Sequence, residues 1–311
     1  MLRGVYSPNG ARTYMKSNLW TLVLLALAAP LFAQLSPSAT WATHAASDYQ
    51  ITPNVTYLTL GTTELKLDIY RRRGTTGPQP TIVYMHGGFW VAGNKEGAIF
   101  NILPWIEMGW NVVNVEYRMG PAVLAPAAVE DCFCALHFLA AQAQMYGIDV
   151  NRIVVTGESA GGHLALALGT IPQSEGLDRE CAGSAMPKIA AVINWFGIAD
   201  VPDVIDGPHT ANAAVRWFGS LPNRMEIARR VSPLTYVRPG LPPILTVHGD
   251  SDTTVPYDQA VRLHAALAKV NVPNQLITIP GGKHGGFTAE QRDKIYITIR
   301  EFLAKNGLGP K

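Results

Sequence analysis

A serine near the middle of this sequence stands where it could act as a nucleophile. Ser159 is the centre of Gly157-Glu158-Ser159-Ala160-Gly161, which follows a short apolar run and precedes a helical pattern. In a sharp turn from a strand to a helix, small residues on both sides leave room for the backbone, and the serine hydroxyl is lifted clear of the sheet. Because a serine hydroxyl is a weak nucleophile, the chemistry also requires a general base and a group that orients the base.

The base and the orienting acid are predicted downstream of the serine. His284 lies in the glycine-rich segment 281–287, after the last predicted strand, and Asp252 follows another apolar strand. Both loops would lie at the carboxyl ends of parallel strands, where Ser159 also lies and where open α/β sheets bind ligands. Asp250 competes with Asp252 for the role of the acid. The pattern favours Asp252, and Asp250 would then brace the loop by accepting backbone N–H bonds.

A pair of glycines could stabilise negative charge that develops on a substrate. Gly87 and Gly88 follow a predicted strand, so their backbone N–H groups can point into the site together with the N–H group of Ala160. Such donors form an oxyanion hole for a tetrahedral intermediate. The next residues, Phe89 and Trp90, are predicted to contact the substrate or to pack against the core.

Three further histidines lie close to these segments, and we expect each to be structural. His86 precedes the glycine pair and would hold the shape of that loop. His163 follows the serine by four positions on the same predicted helix and would face the interior. His248 ends a predicted strand, a position typical of a packed side chain.

The elements that must position these residues alternate along the chain. Segments 55–60 and 64–71 predict a hairpin, and short β-branched apolar runs predict central strands buried on both faces at residues 81–85, 112–117, 153–156, 191–195, 244–247 and 275–279. Helical patterns lie between them at residues 97–108, 125–146, 160–168, 257–270 and 288–305. Repeated strand–helix units predict an α/β fold, a mostly parallel central sheet with helices on both faces. The long segment 198–241 predicts either a small cap or a plain long connection.

Composition narrows the class of protein. The chain has 311 residues, of which 48% are hydrophobic and 15% charged, with a formal net charge of +2. Such a chain can bury a large core, and we expect residues 48–311 to form one catalytic domain. A nucleic-acid partner is not expected, because Lys and Arg do not cluster as such binding requires. No His or Cys spacing typical of a zinc site occurs, so we expect no structural metal.

Three cysteines leave the redox state open. Cys132 and Cys134 lie two positions apart on a predicted helix and point to different faces, so they do not pair easily with each other. A bridge from Cys181 to either one is possible in an oxidising compartment.

The N-terminus has the features of an export signal. An apolar run over residues 19–33 follows Lys16, and Ala33 offers a small residue for cleavage. We therefore predict a signal peptide over residues 1–33, with Met15 as an alternative start, and a flexible lead-in over residues 34–47. The mature protein would be secreted or periplasmic, with no stable membrane partner. An uncleaved N-terminal membrane anchor is the alternative.

Several motifs together resemble a known family. They are HGGFW at residues 86–90, EYR at 116–118, PAAVEDC at 126–132, GESAGG at 157–162, HGDSDTTVP at 248–256 and KHGGF at 283–287. The sequence resembles serine esterases of the α/β-hydrolase superfamily, in the hormone-sensitive-lipase-like branch, nearest to bacterial carbohydrate-esterase-like and feruloyl-esterase-like carboxylesterases. The resemblance implies the triad of Ser159, His284 and Asp252, the oxyanion donors Gly87, Gly88 and Ala160, and no cofactor. Residues 120–127 replace the APEHPFPA segment typical of the lipase-like subgroup, which favours the carbohydrate-esterase-like neighbours.

The expected activity is hydrolysis of short-chain or aromatic acyl esters through an acyl-enzyme. The substrate would be a small ester or an acylated carbohydrate, with acetyl or feruloyl groups on plant polysaccharide as natural targets. An amide-cleaving relative, arylformamidase-like or peptidase-like, would use the same nucleophile and glycine loop. A catalytically silent binding module on the same fold is a third hypothesis, against which the retained serine, acid and histidine argue.

Overall fold

The computed structural model of this protein describes residues 35–181 and 186–309. The chain divides into two units, residues 1–44 and 45–311, and the second contains every strand of the described ranges. The predicted signal peptide, residues 1–33, lies outside the described residues. Within those ranges, none of the helices combines the length and hydropathy that a membrane span requires.

One eight-stranded sheet forms the centre of the second unit. Its strands in chain order are β1 Tyr49–Leu60, β2 Thr63–Arg72, β3 Gln79–Met85, β4 Asn111–Val115, β5 Ile148–Glu158, β6 Ile189–Trp195, β7 Ile244–Gly249 and β8 Asn274–Ile279. Their spatial order is β1-β2-β4-β3-β5-β6-β7-β8. β1 pairs with β2 and β2 with β4 in antiparallel fashion, and all the other pairs are parallel. The predicted opening hairpin and mostly parallel sheet are thus confirmed.

Helices connect the strands and pack around the sheet. The α-helices are Pro37–Asp48, Ile99–Glu107, Ala127–Ala141, Ala143–Tyr146, Ala160–Thr170, Val201–Asp206, Asn212–Phe218, Arg224–Arg230, Asp258–Lys269 and Ala289–Lys305, and the 3₁₀ turns are Glu96–Ala98, Gln173–Glu175 and Pro233–Tyr236. The last helix begins with a capping box, in which Thr288 and Gln291 satisfy each other's backbone N–H groups. This cap fixes the point where the chain leaves the His284 loop.

Three sequence predictions differ from the structure. Residues 37–48 form a helix with no buried residue instead of an irregular lead-in, because this alanine-rich stretch has high helix propensity and Ser36 Oγ accepts the N–H of Ala39 at its start. The single helix predicted over 125–146 is two, separated at Gln142. β8 is not a strand buried on both faces, because it forms the edge of the sheet and Gln275 and Thr278 are exposed.

The segment 198–241 is a packed connection of three short helices and one 3₁₀ turn between β6 and β7. Ala214, Trp217 and Phe218 of its second helix are buried in the core. None of its residues lines the cavity that contains Ser159. In this structure the segment therefore supports the site from behind and does not cap it.

The cysteine pairing is resolved by the fold. Cys134 in the helix Ala127–Ala141 is bonded to Cys181, which lies 47 residues further along the chain. Cys132 is buried and has a free thiol. The bridge fastens the segment that follows the helix Ala160–Thr170 to the helix beside it.

Strand register brings the loops of interest to one edge of the sheet. Met85 at the end of β3 pairs with Gly157, Glu158 at the end of β5 pairs with Trp195, and Gly249 at the end of β7 pairs with Ile279. Parallel strands that end at the same level present their following loops side by side. The loops that contain the predicted site residues therefore meet at the carboxyl edge of the sheet.

Candidate active site

Ser159 occupies a strained turn between β5 and the helix Ala160–Thr170. Its backbone has φ 56° and ψ −116°, a region that residues other than glycine rarely adopt. Its N–H donates to the carbonyl oxygen of Trp195 at 2.9 Å, which fixes the turn against the neighbouring strand. A side chain at Gly157 or Gly161 would place a Cβ atom 2.4 Å or 2.1 Å from the carbonyl oxygen of Met85. The glycines are thus required because the turn presses against β3.

The three side chains predicted to act together lie within hydrogen-bond distance of one another. His284 Nε2 is 2.9 Å from Ser159 Oγ, and His284 Nδ1 is 2.7 Å from Asp252 Oδ2. Ser159 is only 7% exposed and lines a cavity, so a substrate would reach its hydroxyl through that cavity. This geometry allows His284 to take a proton from the serine while its Nδ1–H is held by a carboxylate.

Asp252 is a buried carboxylate surrounded by donors. Its Oδ1 accepts the backbone N–H groups of Thr254 at 2.8 Å and Val255 at 3.0 Å. Burial by itself raises the pKa of Asp252, but hydrogen bonds from His248 and His284 together hold that pKa well below its ordinary value. The carboxylate therefore stays ionised throughout the physiological range.

Asp250 has a different role from Asp252. It is exposed, and its Oδ1 accepts the backbone N–H of Gly281 at 2.7 Å. It thereby ties the loop after β7 to the loop that carries His284. This is the bracing role that the sequence predicts for it.

The glycine pair after β3 forms a tight loop beside the serine. Gly88 has φ +122°, and a Cβ atom there would lie 2.0 Å from the carbonyl oxygen of Ala92. A Cβ atom at Gly87 would lie 2.9 Å from the carbonyl oxygen of Glu158 and 3.5 Å from Ser159 Cβ. Neither glycine N–H, nor that of Ala160, donates to another residue within the described ranges. All three N–H groups therefore lack an acceptor within the described ranges.

The two aromatic residues that follow the glycines occupy different places. Phe89 lines the cavity around Ser159 and has φ 51°. Trp90 is fully buried, stacks on Trp217 at 4.2 Å between ring centres, and donates its indole N–H to His163 Nδ1 at 3.1 Å. Trp90 does not line the cavity that contains Ser159, because its ring packs behind the loop.

His86 and Tyr117 hold the glycine loop from below. His86 Nδ1 lies 2.8 Å from the carbonyl oxygen of Gly87, and the Tyr117 hydroxyl donates to the carbonyl oxygen of His86 at 2.8 Å. The two rings stack with centres 4.2 Å apart. Next to them, the Arg118 guanidinium lies 2.6 Å from the buried carboxylate of Asp131. The motifs EYR and PAAVEDC thus brace the site, and the prediction that His86 shapes the loop is confirmed.

The cavity around Ser159 has a volume of about 330 Å³. Its lining includes residues to which the sequence analysis assigned no role in the site, namely Phe196, Glu158, Arg292, Gly285 and Gly286. Phe196 packs against His284 with ring centres 4.8 Å apart and follows β6 directly, so its position at a strand end was an available signal. Arg292 lies in the first turn of the last helix, where no motif marks it.

Glu158 is a partly buried acid next to Ser159. Burial raises its pKa, although Arg292 at 4.0 Å and the amide of Asn101 at 3.0 Å favour the ionised form. Glu158 therefore places a carboxyl group of raised pKa at the wall of the cavity.

No group of three His, Cys, Asp or Glu side chains in the described ranges could hold a metal ion.

Comparisons with known proteins agree with this fold and these motifs. The family model BD-FAE matches residues 67–267. The esterase LipC of Mycobacterium tuberculosis is 28% identical over 227 residues, which make up 70% of this chain and 56% of that protein. The isoprenylcysteine alpha-carbonyl methylesterase ICME of Arabidopsis thaliana is 26% identical over 227 residues, 70% of this chain and 53% of that protein. The chain thus spans about half the length of the curated relatives that it matches.

Solved structures of esterases superpose on most of the chain. A truncated carbohydrate esterase from gut microbiota has a TM-score of 0.68 and 26% identity, covering 82% of this chain and 97% of its own. The propionate-bound esterase Est2 of the planctomycete Thermogutta terrifontis has a TM-score of 0.71 and 25% identity, covering 85% of this chain and 97% of its own. The chain belongs to the BD-FAE family, and its fold is that of the α/β-hydrolase esterases to which it is similar.

Proposed function

We propose that this protein is a serine carboxylesterase that hydrolyses short-chain or aromatic acyl esters. The observation that carries the proposal is the continuous chain from Ser159 Oγ through His284 to Asp252, at 2.9 Å and 2.7 Å, next to three N–H groups without acceptors in the described ranges. Nucleophile, base, orienting acid and oxyanion donors are the parts that acyl transfer by a serine requires.

In the first half of the proposed reaction, Ser159 Oγ attacks the ester carbonyl carbon while its proton passes to His284 Nε2. Asp252 stabilises the resulting imidazolium and is not itself protonated. The N–H groups of Gly87, Gly88 and Ala160 hold the negative oxygen of the tetrahedral intermediate. The carbon–oxygen bond to the alcohol then breaks, and the alcohol leaves with the proton from His284.

In the second half, water attacks the acyl group that is bound to Ser159. His284 takes a proton from the water and returns it to Ser159 Oγ as the acyl carbon–oxygen bond breaks. A carboxylic acid is released and the free serine is restored. Asp252 remains ionised through both halves, because its pKa lies well below its ordinary value.

The proposed natural substrate is an acylated carbohydrate with acetyl or feruloyl groups. The cavity of about 330 Å³ is at the low end of small-molecule sites, roughly 300–1,000 Å³, which suits a small or planar acyl group. One solved relative is described as a carbohydrate esterase and another binds propionate, a short acyl group.

A groove next to the cavity supports a larger alcohol component. It has a volume of about 850 Å³ between the helices Ile99–Glu107 and Ala289–Lys305, and Arg292 lines both it and the cavity. Phe100, which is 79% exposed, lies on its wall with Ile297, which is 49% exposed. An exposed aromatic face next to charged side chains offers stacking and hydrogen bonding to a sugar ring.

We also propose that the protein is exported. The predicted signal peptide and the bond between Cys134 and Cys181 support this, because structural disulfides persist mainly in oxidising compartments. The catalytic domain would then be residues 48–311 after cleavage.

The experiment that tests the substrate class compares acetylated and feruloylated oligosaccharides with p-nitrophenyl acetate and with a matched p-nitroanilide. We expect ester cleavage in all three ester cases and none of the anilide. Phe100→Ala should lower kcat/KM for the oligosaccharides only. The control Ile51→Ala, which changes another exposed apolar residue, on β1, should leave kcat/KM unchanged for all the esters. Preferred cleavage of the anilide would identify an amidase instead.

A further inference from the structure

A second histidine contacts the carboxylate that orients His284. His248 lies on β7, is fully buried, and has its Nε2 atom 3.2 Å from Asp252 Oδ2. The same Nε2 atom is 2.9 Å from the carbonyl oxygen of Val255. Asp252 Oδ2 thus lies within 3.2 Å of a nitrogen of both His284 and His248.

The contacts of His248 determine where its proton lies. Both neighbours of Nε2 are acceptors, so Nε2 must carry the hydrogen and share it between them, with the shorter contact to Val255. Nδ1 is buried and has no hydrogen-bond partner in the described part of the chain. A second proton at Nδ1 would be a buried donor without an acceptor, which is costly. His248 is therefore a neutral donor.

Aromatic side chains surround the His248 ring. Its ring packs edge-to-face against Tyr257 at 5.7 Å and Phe196 at 6.5 Å between centres. Asp252 is the charged side chain in contact with it, and His284 lies beyond that carboxylate. Phe196 also packs against His284, so the same phenyl ring contacts both histidines.

We infer that His248 is a positioning residue of the active site, which holds Asp252 Oδ2 in the direction of His284 and weakens its attraction for the His284 proton. This inference rests on the proposed triad. Two backbone N–H groups bind Oδ1, His284 binds Oδ2, and the Nε2 atom of His248 lies 3.2 Å from Oδ2, so both oxygens of the carboxylate are held. A donor on the oxygen that also binds His284 draws charge from it, so imidazolium formation at His284 is less favoured.

The test uses His248→Phe, which keeps the ring and removes both nitrogens. Without the donor, Asp252 attracts the His284 proton more strongly, so the acidic limb of the kcat/KM profile should move to higher pH. Because Asp252 Oδ2 would no longer be held in the direction of His284, kcat should also fall about tenfold, with KM unchanged. His248→Gln, whose amide can donate from the same place, should restore most of the wild-type pH profile and most of the wild-type kcat.

A matched control separates this role from general packing. His264 is another nearly buried histidine, bonded to Asn274 and distant from the triad contacts, and His264→Phe should leave the pH profile unchanged. If folded His248→Phe keeps the wild-type acidic limb and kcat, the inference is wrong.

The second measurement needs no variant. Nitrogen-15 NMR of the wild-type histidine rings, recorded at the pH of the activity assay, should show His248 with its proton on Nε2. A proton on Nδ1 would overturn the inference even if His248→Phe does not fold. Failure of the proposed function is a separate result, since the wild-type protein would then hydrolyse no ester while the NMR result could stand.

Discussion

The indole N–H of Trp90 donates to His163 Nδ1 at 3.1 Å, which joins the glycine loop after β3 to the helix that begins next to Ser159. His163 Nε2 in turn lies 2.7 Å from the carbonyl oxygen of Val231. The histidine must therefore stay neutral, because its Nδ1 accepts from the indole. One unprotonated imidazole thus holds the predicted oxyanion loop against the helix Ala160–Thr170.

This relationship predicts a loss of stability in acid. Burial lowers the pKa of His163 from 6.5 to about 4, so between those values the unfolded chain binds a proton that the folded protein does not. The free energy of unfolding should therefore fall as the pH falls through this window, by roughly 3 kcal/mol from this residue. Urea unfolding at a series of pH values measures it. His163→Asn, which keeps an acceptor for Trp90, should lose this part of the slope, and equal slopes in both proteins would refute the prediction.

The two candidate acids predict opposite outcomes on substitution. Asp252→Asn should lower kcat on the order of 10⁴-fold, because the amide cannot hold the same imidazole tautomer. Asp250→Asn is the matched change two positions away on the exposed side, and it should leave kcat within about threefold, because Asp250 binds Gly281 and not His284. Steady-state kinetics of both variants decide between them. A crippled Asp250→Asn with an active Asp252→Asn would reverse the assignment.

The glycine loop predicts a catalytic defect without unfolding. Gly87→Ala would place its Cβ atom 2.9 Å from the carbonyl oxygen of Glu158, so the loop must shift away from Ser159. Displacing one oxyanion donor should lower kcat about 100- to 1,000-fold. The control is Gly309→Ala, where a Cβ atom meets nothing within 4 Å. Comparable kcat values for the two variants would show that the N–H of Gly87 does not act on the transition state.

The disulfide predicts a stability difference between two neighbouring cysteines. Cys134→Ala should lower the free energy of unfolding by about 2–4 kcal/mol, because the bridge to Cys181 closes a loop across 47 positions. Reducing agent should destabilise the wild-type protein and leave Cys134→Ala unaffected. Peptide mapping without reduction should find Cys132 alone as a free thiol. A bridge that contains Cys132 would contradict the structure.

Local signals were sufficient for most of the fold and for the turn that holds Ser159. The run at residues 153–156 and the glycines around Ser159 specify a strand, a turn and a helix through contacts within a few residues. By contrast, β8 was placed correctly along the chain but wrongly predicted to be buried on both faces, because burial depends on the position of a strand in the sheet. The exposed Gln275 and Thr278 were the available sign of an edge.

The parts of the site that the sequence missed depend on contacts between distant elements. Phe196 reaches His284 only through the register of β6 against β5, and Arg292 enters the cavity only because the last helix begins at Thr288. The choice of Cys134 over Cys132 likewise depends on which face of a helix meets Cys181. Chain order placed serine, acid and histidine correctly at one edge of the sheet, while their roles stay a prediction.

The most direct test of the central claim is a p-nitrophenyl ester series from acetate to laurate, measured on the wild-type protein and on Ser159→Ala. We predict hydrolysis that is fastest for the short chains and absent in Ser159→Ala, whose unfolding curve matches that of the wild type. Ester hydrolysis that persists in folded Ser159→Ala, or a wild-type protein that cleaves none of these esters, would contradict the proposal that Ser159 is the nucleophile of a carboxylesterase.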